Sequence, residues 1–302
     1  MLERTHCPIC QQPAPVLFSR PYSHPALQCL VGTRVPVGML EGKDYEIRRC
    51  GASDLCFQTW VMEDTELAGW YSAARNPESF LQEAGRQRLH WFAHVTEEIL
   101  VMRQLVPSPR PVVLDFGCNW GKWATMALAH GCDVFAVDVN RDAAAFCASR
   151  GIQILDYGGL AGRGFDFINV DQVVEHLSEP GKVVQHLAAS LKPGGFLKLS
   201  TPDNPRLPDS LRHAETVGDD SVLNAATLDS LLPMEHVNLF TATSLRSLAA
   251  VPGLEPVRLP FWKWVGAGQL WNLPRQFNRN VVVPFKRAFN LGTYGWFQRR
   301  SH

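Results

Sequence analysis

From residue 112 onward the chain alternates short apolar runs with longer stretches in which apolar residues recur every three or four positions. The short runs are Val112 to Phe116, Val134 to Asp138, Gly151 to Leu155, Phe165 to Val170, Phe196 to Ser200 and Leu254 to Leu259. Apolar runs of that length predict buried strands. The stretches between them, Lys122 to His130, Arg141 to Ser149, Pro180 to Leu191 and Thr243 to Ala250, predict helices. Strands alternating with helices predict an α/β domain: a Rossmann-like, mostly parallel sheet with helices on both faces. Upstream, Glu63 to Val106 reads as helix, with Trp70, Tyr71, Phe80, Leu81, Leu89, Phe92, Ile99 and Leu100 recurring among charged residues. Pro107, Pro109 and Pro111 close that run.

The first sixty residues lack this rhythm and carry cysteines instead. Cys7-Pro8-Ile9-Cys10 is a C-x2-C knuckle, and Cys50 and Cys56 form a looser pair forty residues beyond Cys10. Four thiolates complete a tetrahedral structural zinc set and leave no open position for metal chemistry. Cys29, His6 and His24 are spare ligands, and plain burial of the cysteines is the alternative. Cys118, Cys132 and Cys147 stand singly in apolar segments and read as core. The chain therefore divides into a zinc-ribbon-like module over 1–62, an α/β domain with a helical lead-in over 63–259, and an extension over 260–302.

Composition narrows the function classes. The 302 residues are 46% hydrophobic and 19% charged, which is globular rather than disordered. Lys plus Arg and Asp plus Glu both number 29, a balance that argues against a nucleic-acid partner held by bulk charge. No apolar stretch approaches the roughly 20 residues of a membrane span. The N-terminus lacks a basic flank, an apolar run and a cleavage site, so a cytoplasmic location with reduced cysteines is expected. The stretch from Glu255 to His302 carries eight basic residues against Glu255 alone, interleaved with aromatics. Such a stretch suits an anionic or lipid-linked substrate, or caps a substrate pocket with its aromatics on the sheet.

The first strand runs into Asp115-Phe116-Gly117-Cys118-Asn119-Trp120-Gly121 and then a helix, where this kind of fold lets backbone approach a nucleotide. Asp138 ends the next strand 17 residues after Gly121, where a carboxylate can accept from both hydroxyls of a ribose. A helix cap before Arg141 is the alternative use of that aspartate.

In order along the chain, these segments resemble the class I S-adenosylmethionine-dependent methyltransferases, the branch with ubiquinone-biosynthesis and sugar methyltransferases. Val112-Val113-Leu114-Asp115-Phe116-Gly117-Cys118 is similar to the first cofactor motif, and Val134-Phe135-Ala136-Val137-Asp138 to the second. Phe165-Asp166-Phe167-Ile168 resembles the fourth strand, followed by Val173-Val174-Glu175-His176-Leu177. Leu191 to Leu197, Thr201-Pro202-Asp203-Asn204 and His236 to Thr241 resemble the later motifs. The likeness spans roughly Tyr71 to Leu259. Asn119 departs from it, standing where a middle glycine is usual, and asparagine tolerates a positive φ better than most residues.

The resemblance implies methyl transfer from S-adenosylmethionine to a small-molecule substrate, at a hydroxyl or carbon of a sugar-like or secondary metabolite. It implies a cofactor site of Asp115, Gly117, Cys118, Asn119, Gly121, Asp138 and Asp171. Asp156 would meet the adenine amino group and Tyr71 the methionine end. His176 is the expected general base, with Glu175 beside it and His236 as a second candidate. An N-terminal zinc module of Cys7, Cys10, Cys50 and Cys56 fits sugar methyltransferases of this kind. Two other classes share parts of the pattern, an RNA-modifying or RNA-binding protein and an NAD-dependent oxidoreductase. Neither the Asn/Asp-Pro-Pro-aromatic motif nor the Pro-Cys pair of base methylation occurs. Glu175-His176 and Lys192-Pro193-Gly194-Gly195 tell against the dehydrogenase.

Overall fold

The computed structural model describes residues 1–32, 35, 37–63, 66, 69, 89–258, 282–289 and 292–299. Its main strands are β1 (Val16–Pro21), β2 (Asp44–Arg49), β3 (Cys56–Gln58), β4 (Val112–Phe116), β5 (Asp133–Val137) and β6 (Gln153–Ile154). They continue with β7 (Phe165–Asp171), β8 (Leu191–Ser200), β9 (Asn238–Leu239), β10 (Glu255–Pro256) and β11 (Tyr294–Gln298). The helices are α1 (Pro25–Val31), α2 (Leu89–Leu105), α3 (Lys122–Ala129), α4 (Arg141–Ser149), α5 (Pro180–Ala189), α6 (Leu207–Val217) and α7 (Ala242–Ala250). Helix α2 ends two residues before Pro107; most of the lead-in expected from Glu63, Tyr71 included, lies outside the described residues.

The described chain forms two compact units that interleave along the sequence, unlike the three linear segments expected from it. The first takes in Met1–Trp70, Gln172–Val184 and Thr201–Val251; the second takes in Tyr71–Asp171, Gln185–Ser200 and Pro252–His302.

The second unit is built on a seven-stranded sheet of order β10-β11-β8-β7-β4-β5-β6. Strands β4 to β8 run parallel, in the places their apolar runs predict. The chain moves outward from β4 through β5 to β6 and then returns to the other side of β4 as β7, so the topology switches between β4 and β7. β11 pairs antiparallel with β8, and its Trp296 and Phe297 are buried. These two aromatics of the basic C-terminal stretch therefore belong to the sheet. The Lys192-Pro193-Gly194-Gly195 turn interrupts the β7–β8 register, and a Cβ on Gly195 would lie 2.9 Å from the Phe165 carbonyl. Lys198, 1% exposed, joins Glu98 of α2 at 2.8 Å and Asp171 of β7 at 3.3 Å, tying the covering helix to the sheet by a buried cation between two carboxylates.

The first unit holds a four-stranded sheet of order β9-β3-β2-β1. Its core draws Phe18, Tyr45 and Ile47 from the N-terminal strands and Leu207, Leu211 and Ala214 from α6. Arg4 is buried in the same unit. The guanidinium donates to the carbonyls of Gln58 (2.9 Å), Ser178 (3.0 Å) and Val237 (2.9 Å) and to Asn238 Oδ1 (3.0 Å). Asn238 Nδ2 passes the connection on, donating to the carbonyls of Val174 (3.1 Å) and Leu177 (2.7 Å).

Each buried acceptor left without its donor costs about 1–3 kcal/mol. Arg4→Met, which keeps the apolar stem, is therefore expected to lower the unfolding free energy in urea by about 3 kcal/mol or more. A loss under about 1 kcal/mol would show that the four acceptors do not depend on this side chain.

Candidate functional site

In the second unit, the chain leaves β4 through a loop of alternating left-handed residues. Gly117 has φ +74°, Asn119 +48° and Gly121 +69°. Asn119 adopts the conformation that its place in a glycine-rich motif demands, as asparagine can. Gly121 is needed for space as well, since a Cβ there would lie 2.6 Å from Cys147 Sγ of α4. Asp115, at the fourth residue of β4, braces the loop from beneath. Its Oδ1 accepts from Asn169 Nδ2 on β7 at 2.7 Å and its Oδ2 from the Ala124 N–H in the first turn of α3 at 3.2 Å. Burial pushes this carboxyl up to about 7, against the stabilising bond from Asn169. Cys118 and Cys147 stand 3.8 Å apart and both donate to the Asn119 carbonyl, lining the loop's inner side.

Asp138 follows β5 and clamps two backbone segments. Its Oδ2 accepts from the Asn119 N–H at 2.6 Å and its Oδ1 from the Asn140 N–H at 2.8 Å. It is not the cap of α4; Asn140 fills that role, accepting from Asp142 and Ala143. In a sheet of this kind a carboxylate at this position can also accept from a ribose diol. The next residue, Val139, is 58% exposed, and Tyr157 beyond β6 is exposed beside the exposed Asp156. An apolar face and an aromatic face, each next to a carboxylate, suit a flat heteroaromatic base with an exocyclic amine. Asp156 makes no side-chain cap bond to its following turn. Asp171 ends β7 at the switch point; burial works to raise it, yet Lys198 and Ser200 hold it below the ordinary carboxylate range. Val139 and Tyr157 are absent from the sequence reading; their signal is an apolar residue directly following each site aspartate.

The histidines belong to the first unit. His176 donates Nδ1–H to the Glu235 carbonyl at 2.8 Å and His236 donates Nδ1–H to the Asp229 carbonyl at 2.6 Å. A carbonyl can only accept, so in each neutral ring Nε2 carries the lone pair. The rings are 4.8 Å apart between centroids, and Glu175, fully buried, places Oε1 4.0 Å from His176 Nε2. The three side chains offer ligand atoms within 4.8 Å of one another. They can share a proton or hold a divalent ion.

Also in the first unit, the thiols of Cys7, Cys10 and Cys50 converge within 4.8 Å of one another, a set that fits a soft divalent ion such as zinc. Burial works to raise the Cys50 thiol, but hydrogen bonds from Ser53 and Ala52 outweigh it and pull it down to about 7. Cys56 does not join them. It opens β3, pairing with Arg49 and Leu239, and its side chain packs in the apolar core, where burial pushes the thiol up to about 12. The cluster sits against the first turn of α5: a Cβ on Gly181 would lie 2.9 Å from the Pro8 carbonyl. Most of the basic stretch beyond Leu259 lies outside the described residues. Among the described residues no helix is long and apolar enough to cross a membrane.

The sequence model of a family described as methyltransferase domain matches residues 86–259. The chain belongs to that family, and by class it is an S-adenosylmethionine-dependent methyltransferase. Its similar relatives include the ubiquinone biosynthesis O-methyltransferase of Ralstonia nicotianae, 24% identical over 198 residues, with 59% of this chain and 73% of the relative covered. The enzyme of the same name from Bordetella avium is 25% identical over 190 residues, with 58% and 75% covered. Among solved structures, the plantazolicin methyltransferase BpumL in complex with SAH matches with a TM-score of 0.48 at 11% identity, covering 78% of this chain and 94% of that one. An S-adenosylmethionine dependent methyltransferase from Mesorhizobium loti matches with a TM-score of 0.40 at 14% identity, covering 67% and 98%.

The raised carboxyl of Asp115 has a consequence for stability. With its folded pKa near 7 and an unfolded value of about 4, the native state holds the extra proton between those values, so stability falls as pH rises through that window. Asp115→Asn, with the Asn169 amide turned to accept, removes the titrating group. The variant should gain stability relative to wild type as pH rises from 5 to 8, measured by urea unfolding across that range. A difference independent of pH would show that Asp115 is ionised throughout.

Proposed function

We propose that the chain methylates a hydroxyl oxygen of a small-molecule acceptor, with His176 as general base. The observation that carries this reading is the bond from His176 Nδ1–H to the Glu235 carbonyl, which fixes the ring and makes Nε2 its basic atom. The ubiquinone-biosynthesis relatives are O-methyltransferases by name, which supports oxygen as the acceptor atom and a phenol or quinol-like ring alongside sugars as the class to screen.

When bound, S-adenosylmethionine supplies an electrophilic methyl group on a sulfonium. Gly117 and Gly121 let backbone approach that cofactor, Asp138 would accept from the ribose hydroxyls, and Val139, Tyr157 and Asp156 would take the faces and edge of the adenine. Asp115 positions the loop through Ala124 and is a supporting residue. His176 Nε2 would take the proton of the acceptor's hydroxyl and Glu175 would steady the imidazolium that results, while the O–CH3 bond would form as the S–CH3 bond of the cofactor breaks and S-adenosylhomocysteine leaves. His236 orients the acceptor or relays the proton. We also read Cys7, Cys10 and Cys50 as ligands of one structural zinc ion, which would brace the N-terminal residues against α5.

An acceptor is found first, by screening phenols, quinols and sugars with labelled cofactor. On that acceptor His176→Ala should lower kcat by roughly 10²- to 10⁴-fold with the affinity for S-adenosylhomocysteine held within about twofold. Glu175→Gln should cost less. Near-normal turnover by His176→Ala would leave alignment as the whole of catalysis.

A further inference from the structure

The three converging thiols sit on two copies of one backbone turn. In the first, Cys7-Pro8-Ile9-Cys10-Gln11-Gln12, the Gln11 N–H donates to the Cys7 carbonyl at 2.9 Å and the Cys7 N–H to the Gln12 carbonyl at 2.8 Å. In the second, Cys50-Gly51-Ala52-Ser53-Asp54-Leu55, the Asp54 N–H donates to the Cys50 carbonyl at 2.9 Å and the Cys50 N–H to the Leu55 carbonyl at 2.9 Å. The residue after each turn is left-handed although neither is glycine: Gln11 has φ +58° and Asp54 +62°. Backbone strained the same way at both turns fixes their correspondence: Cys7 matches Cys50, and Cys10 matches Ser53.

The side chains follow the backbone. Ser53 is buried, and its Oγ lies 3.2 Å from Cys7 Sγ, while Cys10 Sγ lies 3.5 Å from Cys50 Sγ. Each turn thus faces the other with the donors paired crosswise, first residue to fourth. Amide N–H groups point at the donors as well: Ile9 to Cys7 Sγ, Ser53 to Cys50 Sγ, and Leu55 to Ser53 Oγ. A pair of turns that aims peptide dipoles at three of its four converging donor atoms is arranged for charge there, as thiolates around a cation would provide.

We propose that the fourth corner of this site belongs to Ser53, so that one zinc ion is held by the thiolates of Cys7, Cys10 and Cys50 with the Ser53 hydroxyl as the fourth donor. The inference rests on the zinc reading above and corrects its expected ligand set, which counted Cys56. Three thiolates on a divalent ion leave a net charge of −1 where four would leave −2, a smaller charge for a buried site to carry. A neutral oxygen is the weakest of the four bonds, so the ion exchanges more readily than in an all-thiolate site.

The full chain, purified from cells grown with zinc, is analysed for metal and then exchanged with cobalt, whose charge-transfer absorption counts sulfur ligands. Wild type should hold about one zinc per chain and show the intensity of three thiolates. Cys56→Ala should leave that spectrum unchanged. Ser53→Cys should raise the intensity by about one third, for one thiolate added to three, and slow zinc extraction by a chelator about tenfold or more. Circular dichroism confirms that both variants keep the wild-type fold. Four-sulfur intensity in wild type that drops in Cys56→Ala would make Cys56 the ligand and overturn the proposal. A Ser53→Cys spectrum equal to wild type would also overturn it, by placing residue 53 away from the metal. A wild-type chain without metal would instead remove the zinc reading itself.

Discussion

One buried guanidinium holds the first unit in register. Arg4 satisfies acceptors from the end of β3, from the residues leading into β9 and from Ser178, three segments far apart in the chain. Burying a cation is unfavourable unless its hydrogen bonds are all made, and this network meets that condition with carbonyls and an amide. Asn238 is the second link. Its backbone N–H donates to the Glu175 carbonyl at 3.0 Å and its side chain to Val174 and Leu177, so the peptide carrying Glu175 and His176 is pinned on either side. An N-terminal arginine thereby positions the candidate base, and the first residues of the chain are part of that site's scaffold.

The second unit holds its loop with carboxyl groups. Beneath the loop Asp115 accepts from the Ala124 N–H and the Asn169 side-chain amide, and beside it Asp138 accepts from the N–H groups of Asn119 and Asn140. Three left-handed residues at alternate positions bend the chain between them. The buried Lys198 pairs with Glu98 and Asp171 behind this arrangement, which with Ser200 holds the carboxylate ending β7 in its charged form. The cradle is preorganised by covalent geometry and hydrogen bonds before any ligand enters, which reduces what binding must order.

The sequence pattern revealed the parallel strands because they are buried on both faces and read as unbroken apolar runs. β4 falls on Val112–Phe116 as expected, and the site aspartates follow from the strand ends. The first unit was much less legible. α6 carries a polar outer face, β9 is two residues long, and both gain their places only from contacts with residues about two hundred positions earlier. β11 is antiparallel and lies among aromatics that also suit a cap, so its pairing with β8 was not readable locally. Cys56 shows a different limit: spacing counts sulfur atoms, whereas the two repeated turns correspond through their backbone, and the position after Cys50 that matches Cys10 holds a serine.

We propose that the loop after β4 and the carboxylate after β5 form the site of the methyl donor. Calorimetric titration of S-adenosylhomocysteine, with NAD as the control ligand, tests it on wild type and on Asp138→Ala. Binding of the first ligand is expected, none of the second, and a loss of about 1.5–3 kcal/mol in the variant, roughly ten- to a hundredfold in Kd, with the fold intact. Unchanged affinity in folded Asp138→Ala, or binding of NAD in place of S-adenosylhomocysteine, would contradict it.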